Sequence, residues 1–377
     1  RRHEPADHLL AESLTAMNFD LSEEQQMFVA SVERFAAPVD VEARRRLRLP
    51  ATGYDRARWR ELAGMGLIAL AASEAAGGMG GAPIDLALVA EAIGKANAPD
   101  PLVELGILPA LLLERGGAPR DLVEGVLSGA TIASFAWAER SQRYSLKARG
   151  VKAEGGAAGF ALTGEKTLVM GAVLADVLLV TADFEGATRL FVVPRDAPGV
   201  EVRAYRLTDG SIAGEVRLNR APASELLALE SAGLAGVIAD VRLCAAAEMV
   251  GLGQRLLDDT LAYVKQREQF GVAIGSFQAL QHRLVDCYAR VEQSRSMIYR
   301  AALADRTDTA RWQRIAAGAM AYVGENADAV AREAVQMHGG MGITDELAVG
   351  HAMKRVMVLA RLFGDGDTAL AEYAVAA

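Results

Sequence analysis

Cysteine is nearly absent. Only Cys244 and Cys287 occur in 377 residues, so the chain has no CxxC pair and no disulfide framework for its size, which places it with proteins of a reducing cytoplasm. Histidine is scarce too: His3, His8, His282, His338 and His351 form no i, i+4 pair, and no acidic loop has calcium spacing, so no metal is expected. Long apolar runs are missing. Leu105–Leu113 contains Pro109 and stops far short of the roughly 20 residues a membrane span needs. Positive charge is in deficit, and a net charge of −8 argues against a nucleic-acid surface, which needs clustered Lys and Arg. Arg1-Arg2 is followed by His3-Glu4-Pro5-Ala6-Asp7 where a twin-arginine leader would turn apolar. Residues 1–16 read as a disordered extension, with Met17 a candidate start.

What is present is ordered helix, strand, helix. Ser22-Glu-Glu-Gln25 has the pattern of a capping box, and Met27, Phe28, Val32 and Phe35 follow at helical spacing. Helical patterns continue through Trp59–Leu67, Ile84–Ala96 and Leu102–Leu113, interrupted by the glycine-rich stretch from Gly77 to Pro83. Residues 17–130 are therefore expected to form an α-helical domain. From Thr131 the texture changes to short β-favouring runs (Phe160–Leu162, Val177–Thr181, Leu190–Val193, Val200–Val202) between Gly, Asp and Pro clusters, a β-domain over 131–226. Gly155–Gly159 reads as its hairpin loop. Long helical periodicity returns from about Leu227, and 227–377 reads as a helical bundle. The fold class is mainly α with a β-domain.

Two segments carry the chemistry. Tyr263–Gln278 (YVKQREQFGVAIGSFQ) places Arg267 and Phe270 at i, i+3, turns at Gly271 and Gly275, and presents Gln278: a cation, a ring and an amide around one helix–turn–helix junction, suited to an anionic dinucleotide. Gln336–Gly342 (QMHGGMG) follows a helical stretch and bares backbone at Gly339, Gly340 and Gly342, where a phosphate can approach N–H groups with no Cβ in the way. On these motifs the chain resembles the acyl-CoA dehydrogenase family from about Met17 onward. Val264–Gln281 and Leu362–Thr368 are most similar to the small subunit of pimeloyl-CoA dehydrogenase.

The resemblance implies a helical domain, a middle β-barrel and a C-terminal four-helix bundle, with FAD as cofactor, an acyl-CoA substrate and an electron-transfer flavoprotein as electron acceptor. It assigns Arg267, Phe270 and Gln278 to the FAD adenosine and pyrophosphate, and Gln336, Gly339 and Gly340 to the cofactor of a neighbouring subunit. That implies a homotetramer or a heteromer with a homologous large subunit. Phe135–Glu139 and Lys166–Met170 match the two strands beside the isoalloxazine ring. There Ala138 and Met170 stand where the family carries hydroxyls, and Leu168 where it carries Trp; Val169 completes the set, and backbone N–H groups are expected to serve the flavin instead. Arg242 and Ser141 match positions that contact the CoA ester.

The family reaction needs a carboxylate to take the substrate α-proton while flavin N5 accepts the β-hydride. The matching positions hold Phe363 or Gly364, and Val241. Two acids lie near in sequence. Asp365 sits in a glycine-flexible stretch, its plain alternative being a helix cap before Thr368. Glu248 lies seven residues past Val241, about 10 Å along a helix, among apolar residues where an unpartnered carboxylate is costly. Its plain alternative is a buried ion pair. Three readings stay open: an acyl-CoA dehydrogenase, alone or as a subunit; a catalytically silent FAD/CoA-binding partner; and a non-catalytic scaffold for CoA esters.

Overall fold

The computed structural model describes residues 21–37, 40–156 and 159–375; the expected extension at 1–16 lies outside them. The first helix starts at the capping box. Ser22 Oγ accepts the Gln25 N–H at 3.1 Å and Gln25 Oε1 accepts the Ser22 N–H at 3.0 Å, satisfying two backbone donors that a helix start leaves open. It runs as α1 (Glu23–Phe35), followed by α2 (Val41–Arg48), α3 (Arg56–Gly64) and α4 (Pro83–Lys95). A π-helical turn, Leu102–Ile107, leads into α5 (Leu108–Arg115), and α6 (Arg120–Leu127) follows.

The strands are β1 (Ala133–Ala136), β2 (Lys152–Gly156), β3 (Gly159–Met170), β4 (Val177–Phe184), β5 (Ala187–Pro194), β6 (Val200–Arg206), β7 (Ile212–Ala223) and β8 (Glu225–Leu227). They hydrogen-bond in the order β6-β7-β3-β2-β4-β5-β8, with β1 parallel to β4, so the sheet coils without closing into a continuous ladder. β2 and β3 pair antiparallel through Gly156 and Gly159, as the glycine-rich hairpin loop predicts. Inside the coil lies a separate apolar core that includes Val169, Leu178, Phe191 and Val216. The sheet's opposite face joins the helical core through Phe135, Ala138, Met170 and Ala213.

Lys166 is wholly buried in this sheet, its ammonium donating to Trp137 O at 3.1 Å, Glu139 Oε1 at 2.8 Å and Thr181 Oγ1 at 2.9 Å. Burial pushes its pKa down to about 8 against the pull of Glu139. Burial alone would raise the Glu139 carboxyl, but Lys166 and the Gly150 N–H at 2.7 Å hold it below the usual range.

The C-terminal part comprises α7 (Ser231–Gln266), the short strands β9 (Glu268–Gln269) and β10 (Val272–Ala273), α8 (Gln278–Ala302), α9 (Thr309–His338), α10 (Ala348–Leu362) and α11 (Gly366–Ala374). α4 and α7 cross backbone to backbone. A Cβ on Gly94 would run into the Glu248 carbonyl, and one on Gly251 into that of Glu91, so glycine is required at both. No described helix is long and apolar enough to cross a membrane.

One ion cluster joins all three parts. Arg355 of α10 donates to Glu248 of α7 (Nε to Oε1 2.7 Å, Nη2 to Oε2 3.1 Å) and to Glu104 of the π-helical turn (Nη1 to Oε1 2.9 Å, Nη2 to Oε2 3.1 Å). It also reaches Asp209, in the β6–β7 turn, at 3.4 Å. All four are buried. Arg355→Met should destabilise the chain by about 3–5 kcal/mol, because the buried carboxylates lose the guanidinium that they share; the urea midpoint reads this. Burial already raises the Glu248 carboxyl, and the variant raises it further above its unfolded value. The folded state then binds more protons than the unfolded one, so part of the lost stability should return as pH falls from 7 toward about 5.

Candidate functional site

The Arg267–Phe270 segment is not helical as its spacing suggests. α7 ends at Gln266, Arg267 takes an extended backbone, and Gln269 pairs with Val272 around a two-residue turn. Phe270 and Gly271 both have positive φ, +56° and +81°, the geometry of a tight hairpin turn that glycine enters freely and phenylalanine at a cost. Its backbone is fixed at both ends: Arg267 N–H donates to Tyr263 O at 2.8 Å, and Arg267 O accepts from Ile274 N–H at 2.8 Å. Its side chains are not. Phe270 is 92% exposed, its ring edge-on to that of Phe277 with centroids 6.2 Å apart, and Arg267 and Gln278 are exposed.

This hairpin and the glycine loop lie together. Tyr263, one turn before Arg267, stacks on His338, one residue before Gly339, with centroids 4.3 Å apart. His338 is buried and its Nδ1 lies 2.8 Å from Ala334 O, which fixes the ring so that Nδ1 donates. The stack thus places Arg267, Phe270 and Gln278 at the same end of the bundle as Gln336, Gly339 and Gly340. Gly339 has φ +62°, and a Cβ on either glycine would meet nothing within 4 Å, so the loop's backbone faces open space.

The strand residues lie elsewhere. Phe135, Ala138, Leu168 and Met170 are on the sheet face that joins the helical core, whereas Val169 points into the sheet interior, so its side chain is removed from the set. Backbone donors here are less available than the sequence suggests: Leu168 N–H is bonded to Tyr205 Oη at 3.2 Å and Thr167 N–H to Ala138 O at 2.9 Å. Met170 and Arg355 line one cavity of about 30 Å³ together with Tyr54, Glu104 and Leu105. Arg355 binds Glu248, which precedes Arg267 by 19 residues on α7, or about 28 Å along the helix. Strand set and hairpin set therefore occupy separate regions of one chain.

Neither candidate acid is free. Asp365 caps α11, accepting the Thr368 N–H at 2.9 Å, and pairs with Arg143 at 3.1 Å. The Thr368 bonds and Arg143 hold its carboxyl below the usual range, which weakens it as a base. Glu248 is bound on both oxygens by Arg355. At the positions where the sequence match places the base, Val241 and Phe363 are buried side chains without a titrating group. Gly364 has φ +119°, and a Cβ there would lie 2.8 Å from Arg242 Nη2. Arg242 is itself buried and committed, donating to Phe363 O at 2.8 Å and to both oxygens of Glu372. Ser141 is exposed between two exposed cations, Arg140 and Arg143, on the loop that leaves β1. A cleft of about 650 Å³ between α9 and α11 includes Asp365 in its lining but none of the strand residues. Among the described residues no group of three His, Cys, Asp or Glu is placed to hold a metal.

Residues 22–119 match the acyl-CoA dehydrogenase N-terminal domain and residues 235–375 the acyl-CoA dehydrogenase C-terminal domain. The chain is 32% identical over 349 residues to the acyl-CoA dehydrogenase IpdE2 of Mycolicibacterium smegmatis, covering 91% of this chain and 96% of that one. It superimposes on one chain of the ChsE4–ChsE5 complex of Mycobacterium tuberculosis with a TM-score of 0.84 at 28% identity, covering 94% of this chain and 97% of that one. It superimposes on PigA bound to FAD and proline with a TM-score of 0.86 at 26% identity, covering 96% and 99%. By sequence and by fold, the chain belongs to the acyl-CoA dehydrogenase family.

Proposed function

We propose that this chain is an FAD-dependent acyl-CoA dehydrogenase subunit that works beside a homologous chain carrying the catalytic carboxylate. FAD is its cofactor, and when bound the flavin accepts the hydride that leaves the substrate β-carbon. The observation that carries the reading is a contrast within one fold. Arg267, Phe270, Gln278 and the glycine loop are kept and exposed, while two buried apolar side chains, Val241 and Phe363, and a glycine stand where the sequence match puts the base. A scaffold that binds no flavin has no use for a strained, 92% exposed Phe270 beside an exposed arginine.

The chain's residues divide the work as follows. Arg267 offers a charge-assisted donor to the pyrophosphate, the open backbone of Gly339 and Gly340 gives N–H groups the same access, and Phe270 supplies a stacking face. The face of Phe135, Ala138, Leu168 and Met170 packs against the ring. Because the strand set adjoins the Glu248 end of the cluster and Arg267 lies about 28 Å further along α7, one FAD is shared between chains, with the hairpin of one subunit serving a cofactor seated on the strands of another. Arg140 and Arg143 flank Ser141, and each would exchange its present carboxylate partner, Glu215 and Asp365, for a CoA phosphate. The electrons leave to an electron-transfer flavoprotein. The ChsE4–ChsE5 structure is a complex of two named proteins, the arrangement proposed here. The similarity of Val264–Gln281 to a pimeloyl-CoA dehydrogenase small subunit points the same way.

The self-sufficient alternative rests on Asp365 or Glu248, and both are held by arginines. Bleaching of the flavin by a panel of acyl-CoAs under anaerobic conditions separates the readings. The chain alone should hold its flavin oxidised, and addition of a Glu-bearing homologue should restore bleaching. Bleaching by the lone chain that Asp365→Asn abolishes would return the base to Asp365.

Arg267 holds the hairpin through its backbone, so Arg267→Ala should fold normally. Loss of a charged hydrogen bond worth about 1.5–3 kcal/mol should raise the FAD dissociation constant about 10- to 150-fold. Unchanged FAD affinity, measured by fluorescence titration of the purified oligomer, would remove Arg267 from the site.

A further inference from the structure

Tyr205 has no part in the assignments above, yet it stands at the most distorted point of the strand set. Strand β3 loses register with β7 between Lys166 and Val169, and within that bulge Leu168 adopts φ +51°. A leucine enters this left-handed region only at a cost, and such strain gathers where a local conformation serves a site. The bulge takes the Leu168 N–H out of the ladder, and Tyr205 Oη accepts it at 3.2 Å.

Tyr205 reaches β3 across an intervening strand. Tyr205 and Met170 are both paired with Ala213, so the three side chains share one face, and the Ala213 methyl is small enough for a ring to cross. That face belongs to the core shared with the helices, a core that includes Ala138 and Met170 and against which Tyr205 and Leu168 pack half-buried. After accepting the Leu168 N–H the phenol still has its own proton to donate. No hydrogen bond donated by this hydroxyl is formed among the described residues, and the half-buried ring leaves it free to reach a ligand.

We propose that Tyr205 donates this proton in a hydrogen bond to a heteroatom of the flavin ring, supplying from β6 the hydroxyl that Ala138 and Met170 lack. The inference rests on the FAD site proposed above and adds a residue to it. Tyr205 acts as a positioning and tuning group; no covalent step is assigned to it.

Tyr205→Phe keeps the ring and removes the hydroxyl. In the flavin-loaded oligomer the visible absorption bands should shift, and FAD titration of the apoprotein should show a dissociation constant raised about five- to tenfold, the value of one hydrogen bond. Met170→Thr placed in the Tyr205→Phe background should bring the affinity back without restoring the melting temperature of the apoprotein, because the threonine cannot accept the Leu168 N–H in place of the phenol. A merely structural phenol gives a different pattern: a lower melting temperature for Tyr205→Phe with FAD affinity and spectrum equal to the parent, and that pattern overturns the inference. Should Tyr205→Phe fail to fold, Met170→Thr in the parent decides. Affinity unchanged within about twofold means the bond is already supplied, whereas tightening of about tenfold means Tyr205 does not supply it. A parent that takes up no FAD removes the proposed function together with this inference; a parent that binds FAD while Tyr205→Phe matches it in affinity and spectrum removes this inference alone.

Discussion

The relation between the three parts of this chain depends on one buried guanidinium. Arg355 is 4% exposed and meets carboxylates from the π-helical turn, the β6–β7 turn and α7, segments separated by more than 100 residues from it in sequence. Each ion costs several kcal/mol to take out of water, and only close, multiply bonded geometry offsets that. The arrangement therefore tolerates little sliding. It also fixes the site, because the residues that line the small cavity beside Arg355 include Met170, on the face that the proposed flavin would meet. The backbone contact at Gly94 and Gly251 reinforces it by holding the Glu248 stretch of α7 directly against α4.

The same device recurs wherever distant segments must be held. Asp100, almost wholly buried, is bound by Arg58 at 2.7 and 2.8 Å and by the Tyr54 hydroxyl, tying α3 to the segment before the π-helical turn. Asp240 takes Arg115 and Arg306, joining α7 to α5 and to the α8–α9 connection, while Arg306 also lies over Trp312 at 3.9 Å. Lys166 and Glu139 do this inside the sheet. Charged groups thus sit at the junctions of elements, and the cores between them are left to Ala, Leu and Val. With junctions fixed in this way, Phe270 stands out as an exposed ring on a backbone of positive φ.

Much of this was legible from the residues. The capping box, the β2–β3 hairpin and the helix–strand–helix succession follow from local rules that the structure obeys. The exit from α7 was misread because an Arg–Phe pair three apart fits a helix as well as a hairpin, and only Gly271 hinted at the turn. For Glu248 the need for a partner was readable from its apolar neighbours, but the partner was not. Arg355 follows Lys354 on an amphipathic helix, and nothing local distinguishes the buried cation from the exposed one. Tyr205 was invisible for a related reason: its role depends on a bulge in β3 and a small residue on β7, which are facts of register between strands. The Tyr263–His338 stack, which brings the two cofactor motifs together, joins residues 75 positions apart in helices whose packing is set by the whole bundle.

The region around Gly364 explains why the missing carboxylate is more than a missing side chain. Its φ of +119° favours glycine, and the space a Cβ would enter is bordered by Arg242 Nη2 at 2.8 Å. Arg242 is in turn anchored on Phe363 O and on Glu372 of α11. A carboxylate introduced at 364 would meet that guanidinium before it met a substrate, and the pairing would lower its pKa and with it its strength as a base. The backbone, the arginine and the last helix are mutually adjusted to a glycine at this position. This favours a division of labour in which the present chain contributes cofactor and substrate surfaces and another chain contributes the proton acceptor.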